Sequence, residues 1–354
     1  MTKHGTLARA CGVVLAAVLI AGCVARGEIQ NHVGRINKSV GVSLNDAILL
    51  NIVRASRDEP LYFTSLPTIS GQGTATLSTG LPTITIGPGQ TASQQQFAVS
   101  NSLANETIST FDMGVLSSSA FYTGLLGQIS LDEANLIAHQ GYSRALLFSV
   151  LVDKIRITSG DNVEEIPNDP TKAETFRSFE QYLYLAVHYG LSVETQTGSD
   201  GKAISRLCFD LALAGTAEKP YVRRSPIQCG SPIRDTGAQL GFVINGQPQT
   251  IEIKLRSPNQ IFRYLGSMVD AASAGRTVTL QGDLPGTTQG PLLTVTKDPL
   301  ANCFARVKYG GQVYCVPNTG SENTKRIFQM VNQILALNTS TTDIPPTQNI
   351  YIRR

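Results

Sequence analysis

Thiols carry most of the chemistry this chain offers. Its six cysteines fall into two settings. Cys23 follows Ile20-Ala21-Gly22, at the end of an uncharged run from Ala10 to Gly22 that is preceded by Lys3 and Arg9. Cys23 thus closes a short apolar run at the small residues where a secretory leader is cut. Cys208, Cys229, Cys303 and Cys315 lie far downstream. An even number of cysteines in an exported body reads as disulfides, with three possible connectivities. The sequence-local pairing, Cys208 with Cys229 and Cys303 with Cys315, is expected because each pair lies in or beside a predicted hairpin. A zinc site is the alternative. Against it, no Cys-x-x-Cys occurs and no histidine is close in sequence to any of the four.

The leader has the parts of a secretory signal: a basic start, a short apolar core and small residues before a cut site. Its apolar run is too short to span a bilayer. In order, Ile20-Ala21-Gly22-Cys23 resembles the lipobox of bacterial lipoproteins. The resemblance implies that residues 1–22 are removed and that Cys23 carries a thioether-linked diacylglycerol and an N-acyl chain such as palmitate. Each buried methylene contributes about 0.8 kcal/mol, so several chains hold where one is marginal. Val24, which is not an aspartate, implies by the same family analogy an outer-membrane anchor with a periplasm-facing body.

The formal net charge of +3 falls to +1 once Lys3 and Arg9 leave with the leader. That balance argues against nucleic acid as the main partner. At 42% hydrophobic and 16% charged, the chain has apolar mass for a sizeable core.

Gly-x-Ser-x-Gly, His-Glu-x-x-His, Gly-x-x-x-x-Gly-Lys-Ser/Thr and Gly-x-Gly-x-x-Gly are all absent. His32, His139 and His188 are scattered, and each reads as a structural histidine. Asp161, Glu164 and Glu165 lie in an acidic stretch, Gly160 to Asp169, that lacks the spacing of a calcium loop and reads as a solvated linker. Arg223, Arg224, Arg234 and Arg256 are candidates to meet an anionic surface. The expectation is a non-catalytic chain with no metal and no cofactor.

The elements that must position these residues follow from periodicity. Residues 23–42 read as anchor and tether. Ser43 with Asp46 predicts a helix start, and Leu44, Ala47, Ile48 and Ile52 form its apolar stripe, ending near Arg57. From Pro60 to Asn105 there is no charged residue or histidine, and Thr68 to Ser78 alternates polar and apolar or side-chain-free positions. This Ser/Thr/Gln/Gly-rich stretch reads first as a flexible insertion. A β-arm is the alternative. Helices are then predicted around Phe121 to Ile129, from Leu131 to Gln140 with Ser130 and Glu133 as a capping box, and from Arg144 to Lys154. The longest predicted helix has Asp169 as N-cap, Pro170 at its first position and Gly190 as C-cap.

Downstream, hairpins are predicted at Leu191 to Gln196 with Ala203 to Leu211, at Gln239 to Ile244 with Thr250 to Leu255 around Asn245-Gly246, and at Cys303 to Lys308 with Gln312 to Val316. Helices open at Ser257-Pro258 and after Lys325-Arg326, and strands are predicted at Thr277 to Gln281 and Leu292 to Thr296. This is an α+β pattern. It has an N-terminal helical region (43–158) carrying a low-charge β/loop insertion (60–105), and a mostly antiparallel C-terminal sheet with helices on one face (169–337). A loose tail (338–354) follows.

Three stretches carry a family resemblance: Leu49-Leu50-Asn51-Ile52-Val53-Arg54 with Pro60-Leu61-Tyr62-Phe63; Leu255-Arg256-Ser257-Pro258-Asn259-Gln260-Ile261 with Tyr264-Leu265-Gly266; and Phe304-Ala305-Arg306-Val307-Lys308-Tyr309 with the helix after Lys325-Arg326. They resemble a group of bacterial envelope lipoproteins with no established activity. The resemblance implies location and architecture and supplies no reaction. The expected function is a lipid-anchored interaction or assembly module, with an envelope protein or a second copy as partner. The alternatives are a homo-oligomeric outer-membrane channel or secretion component using residues 60–105 as strands, and an envelope hydrolase.

Overall fold

Helix α1, residues 37–55, buries Ile48, Leu49, Ile52, Val53 and Ala55 on one side. It begins upstream of the predicted Ser43 cap. Ser43 is an exposed residue within it, because the preceding Asn37-Lys38-Ser39-Val40 contains no breaker and extends the helix backwards. Part of the expected tether is therefore helical. Buried Asn51 fastens the chain that returns after α1: its Nδ2 donates to the Tyr62 carbonyl at 2.8 Å, and its Oδ1 accepts from the Tyr62 N–H at 3.1 Å.

This computed structural model describes residues 34, 37–64, 68–75, 79–80, 100–101, 105–112, 116, 118–198, 201–215, 228–231, 239–244, 247–282, 288–298 and 302–338. They form an α+β chain with two compact units, one comprising Met1–Tyr62 with Ser117–Asp343 and the other Phe63–Leu116 with Ile344–Arg354.

The described residues of the smaller unit form a β-ribbon. Thr68–Ala75 (β1) pairs antiparallel with Asn105–Asp112 (β4), from Thr68↔Asp112 to Ala75↔Asn105. Thr79–Gly80 (β2) pairs with Ser100–Asn101 (β3) in the same register, so the four segments are the legs of one hairpin. At its base the Leu116 N–H donates to the Phe63 carbonyl at 2.9 Å. Within the insertion, the described residues take the β-arm alternative, and the pairing runs beyond Asn105 to Asp112. The two-residue alternation of Thr68 to Ser78 is what selects the arm. Residues 81–99, Thr83 to Ile86 among them, lie outside the described residues.

In the larger unit, helices Ser119–Leu126 (α2), Leu131–Ala138 (α3) and Arg144–Leu151 (α4) follow one another. Ser130 and Glu133 make the expected capping box, and Gly141 takes a φ of 82° after α3. Helix α4 stops at Leu151, three residues before the predicted end, because Val152 enters a strand. The sequence Val152–Ser159 (β5) then pairs with Asn162–Pro167 (β6), so the acidic stretch is a turn and a strand and not a linker. Ile155, Ile157 and Ile166 are buried on one face, while Lys154, Arg156 and Glu165 occupy the other.

Helix Ala173–His188 (α5) buries the expected stripe of Phe176, Phe179, Leu183 and Val187. It begins four residues after the predicted cap. Asp169 instead closes a turn, with its Oδ1 accepting from the N–H and hydroxyl of Thr171, and Lys172 is the N-cap. It is also not the longest helix of the chain. Strands Leu191–Thr197 (β7) and Ala203–Phe209 (β8) form the first expected hairpin.

Gln239–Ile244 (β9) and Gln247–Leu255 (β10) form the second, and β10 pairs with β5 to give the order β6-β5-β10-β9. Helix Pro258–Ser273 (α6) starts with a Ser257–Gln260 capping box and buries Ile261, Phe262, Leu265, Met268 and Val269. At roughly 1.5–3 kcal/mol per fully buried side chain, this face is a main source of cohesion. Gly266 lets α6 approach α1: a Cβ there would lie 2.6 Å from the Ser56 nitrogen.

Thr279–Gln281 (β11) pairs with Thr288–Pro291 (β12), not with the predicted strand at Leu292 to Thr296. Leu292 and Leu293 are buried without joining a ladder, and Thr296 makes an isolated bridge to Cys315. Cys303–Tyr309 (β13) and Gln312–Pro317 (β14) form the last hairpin, and Glu322–Asn338 (α7) closes the described chain.

Candidate functional site

The strand end of β10 delivers Arg256 into the interior. The arginine is 2% exposed. Its Nη1 donates to the Val150 carbonyl at 2.9 Å and, more weakly, to Ser149 at 3.4 Å; its Nη2 donates to the Asn168 carbonyl at 2.7 Å. These are the last carbonyls of α4 and the chain leaving β6, where a cation meets the negative end of a helix. Above it lies the ring of Tyr264, with the guanidinium carbon 3.6 Å from its centroid. Burial pulls the Arg256 pKa down to about 10, leaving it charged at neutral pH, and pushes the Tyr264 hydroxyl up. The expectation that Arg256 meets an anionic surface is therefore corrected: the fork is consumed by backbone carbonyls inside the fold, one of which, Ser149, it shares with the Asn168 amide.

A cleft of about 320 Å³ opens beside this pair. One wall is the β5–β6 end: Asp153, Lys154, Pro167, Asn168 and Asp169. The other is a face of α6, with Gln260, Arg263, Tyr264 and Ser267 at the i, i+3, i+4, i+7 spacing that aligns side chains on a helix. Lys154 is held by Glu165 at 2.7 Å. Arg263 is 3.8 Å from exposed Asp58. Asp153 has the Arg256 Nε at 3.9 Å as its ion-pair partner among the described residues.

Asn168 is 4% exposed. Its Nδ2 donates to the Ser149 and Val152 carbonyls at 2.9 and 2.8 Å, which fixes the orientation of the amide. Its Oδ1 has no partner within hydrogen-bond geometry, although a polar contact with the Asn168 side chain offsets part of the rise that burial imposes on the Tyr264 hydroxyl. A second, much smaller crevice between α5 and β11 is lined by Phe176, Phe179, Leu183 and Glu180. Burial raises the Glu180 pKa there.

Cys23, Arg223, Arg224, Arg234 and His32 lie outside the described residues. Cys208 is bonded to Cys229 and Cys303 to Cys315, the expected pairing. Glu194 lies close to the first pair, but cysteines joined to each other offer no thiolate to a metal, so the zinc alternative is set aside. Glu194 instead holds buried Arg206 at 2.7 Å, and Arg206 in turn donates to the Ser231 carbonyl at 2.7 Å, tying the segment around Cys229 to the β7–β8 hairpin. His139 is exposed and bonded to the Asn135 carbonyl. His188 is buried against the Tyr184 ring, a core role as expected.

Sequence reasoning singled out Arg256 but missed Asp153, Asn168, Arg263 and Tyr264. The available signal was the polar stripe Gln260, Arg263, Ser267 on a helix whose opposite face is apolar. Nothing local in sequence brings Asp153 and Asn168 to it. Compared with known protein families, characterised proteins and solved structures, the chain matches none.

Proposed function

We propose that the chain is an exported envelope lipoprotein, held by acyl chains on Cys23, whose body acts as an interaction or assembly module. The single observation that carries this reading is the Ile20-Ala21-Gly22-Cys23 sequence closing a signal-type leader. Two disulfides in the body fit an oxidising compartment, as export to the periplasm supplies. The anchor sets the address, leaving the folded surface free to recognise a partner. Labelled palmitate and cell fractionation test the reading: the native protein incorporates label and sediments with outer membranes, while Cys23→Ser does neither. An unlabelled, soluble native protein overturns it.

One observation favours a second reading, a homo-oligomeric channel or secretion component. The hairpin of β1, β2, β3 and β4 has legs that keep one register; the charge-free stretch from Pro60 to Asn105 supplies β1, β2 and β3, while β4 adds Glu106 and Asp112. Legs of that kind suit pairing with neighbouring copies in a barrel. A detergent-extracted monomer cleaved by protease between residues 65 and 105 removes this second reading.

A further inference from the structure

The geometry points to the cleft between the β5–β6 end and α6 as a binding site for a small zwitterion, the free ends of a short peptide or an amino acid, with Asp153 and Asn168 taking the ammonium and Arg263 the carboxylate. Its volume, about 320 Å³, lies at the lower end of the roughly 300–1,000 Å³ typical of small-ligand pockets.

The two walls differ in what they offer. On the strand wall the groups free to act are acceptors. The Asp153 carboxylate is engaged at 3.9 Å, beyond hydrogen-bond length, and Asn168 presents a buried Oδ1 with no partner while its Nδ2 is fully used. A buried acceptor left open is a deficit that an incoming N–H donor removes. Asp169 lies on this wall too, but its Oδ1 is occupied by Thr171 and its Oδ2 faces Lys172 at 3.5 Å. Lys154 is neutralised by Glu165.

On the helix wall the free group is a donor. The Arg263 side chain is 55% exposed, and its one ion pair among the described residues, to the almost fully exposed Asp58, is 3.8 Å long. A guanidinium with its fork available matches a carboxylate in two parallel hydrogen bonds. Gln260 spends its Oε1 on the Ser257 N–H and has its amide nitrogen left for the cleft. Between the walls, the stacked Arg256 and Tyr264 form a floor fixed by three backbone carbonyls. A rigid floor lowers the ordering cost of binding. The Arg256 charge beside Asp153 also disfavours a bare divalent cation at this spot, whereas an ammonium can donate to Asp153 and Asn168 together.

The test uses the full mature protein in detergent and three probes: L-alanyl-L-alanine, its N-acetylated form and its C-terminal amide. Binding is read by calorimetry and by ligand-observed NMR. The expected result is that the free dipeptide binds at least ten-fold more tightly than either blocked form. Asp153→Asn removes the penalty for N-acetylation, and Arg263→Gln removes the penalty for amidation, each with unchanged circular dichroism. Equal binding of all three probes, no binding of the dipeptide at 10 mM (about 2.7 kcal/mol in affinity terms), or preferences untouched by both substitutions overturns the proposal.

Discussion

The guanidinium of Arg256 lies 3.6 Å above the ring of Tyr264, with both residues buried and the arginine's nitrogens spent on the carbonyls of Val150, Ser149 and Asn168. This contact joins α4, the exit of β6 and α6 through one side chain. Removing it strands several acceptors at once. Arg256→Met is expected to lower stability by about 3–5 kcal/mol, the range for breaking a buried charged network. Arg256→Lys keeps the charge but loses the planar fork and falls between the two. Urea denaturation followed by circular dichroism checks this, read as a lower midpoint at unchanged slope. A wild-type midpoint for Arg256→Met would falsify the structural role.

Gly266 supports a second prediction. A Cβ at this position would lie 2.6 Å from the Ser56 nitrogen and 2.7 Å from the Ala55 carbonyl carbon, both backbone atoms that cannot swing away. Gly266→Ala is expected to push α6 off α1 and to cost about 1–3 kcal/mol, as overpacking does. Gly275→Ala is the informative comparison, because its φ of 79° is strained for alanine but nothing lies within 4 Å. It should cost about 1 kcal/mol, from backbone strain alone. Thermal melts of the two variants separate the crowded glycine from the merely left-handed one.

Much of the fold was legible because local signals agreed with one another. The Ser130 and Ser257 caps, the apolar stripes of α5, α6 and α7, and the hairpins around Gly198 and Gly310 each combine a period with a turn residue. The failures share a cause. In β5, the alternation Lys154-Ile155-Arg156-Ile157 is only four residues long and follows α4 directly, so the helix period ran on into a strand. In β6 the run Val163-Glu164-Glu165 looked solvated because its strand identity comes from pairing with β5. Asp169-Pro170 carried every mark of a helix start, yet the Asx turn it forms delays α5 to Ala173. The cleft was illegible for the same reason: Asp153 and Arg263 come to line one cleft through long-range pairing of β5 with β10, which no window of sequence contains.

The two disulfides should differ in what they contribute. Cys208 and Cys229 are 21 residues apart, and Cys303 and Cys315 are 12 apart within a hairpin already held by its ladder. On loop-closure entropy each contributes about 3 kcal/mol, the longer loop more by about 0.5 kcal/mol. Replacing Cys208 and Cys229 by serine should also expose the segment they tether, despite Arg206 holding Ser231. Calorimetric melts of the two double variants give the order. Limited proteolysis should cleave the first variant, and not the second, between residues 210 and 240.

The charged face of the central sheet gives a pH prediction with a definite sign. Hydrogen bonds from Lys154 and Arg156 hold the Glu165 pKa at about 2, against an ordinary 4.5. A carboxyl whose pKa is lower folded than unfolded favours the folded state once it is ionised in both. The contribution of Glu165 is therefore fully present above about pH 4.5 and is lost as pH falls toward 2. Glu165→Gln cannot ionise, so its stability should fall less steeply than the wild type's across that window, and the two curves should converge at its acid end. Because Glu165 is exposed, salt should shrink the difference, the Debye length being about 3 Å at 1 M. Urea midpoints measured from pH 2 to 7 at low and high salt test the slope. Parallel curves through the window would mean that the ion pairs add nothing to folding, leaving the apolar contacts of Ile155, Ile166 and Ile253 on the opposite face to hold β6 in register.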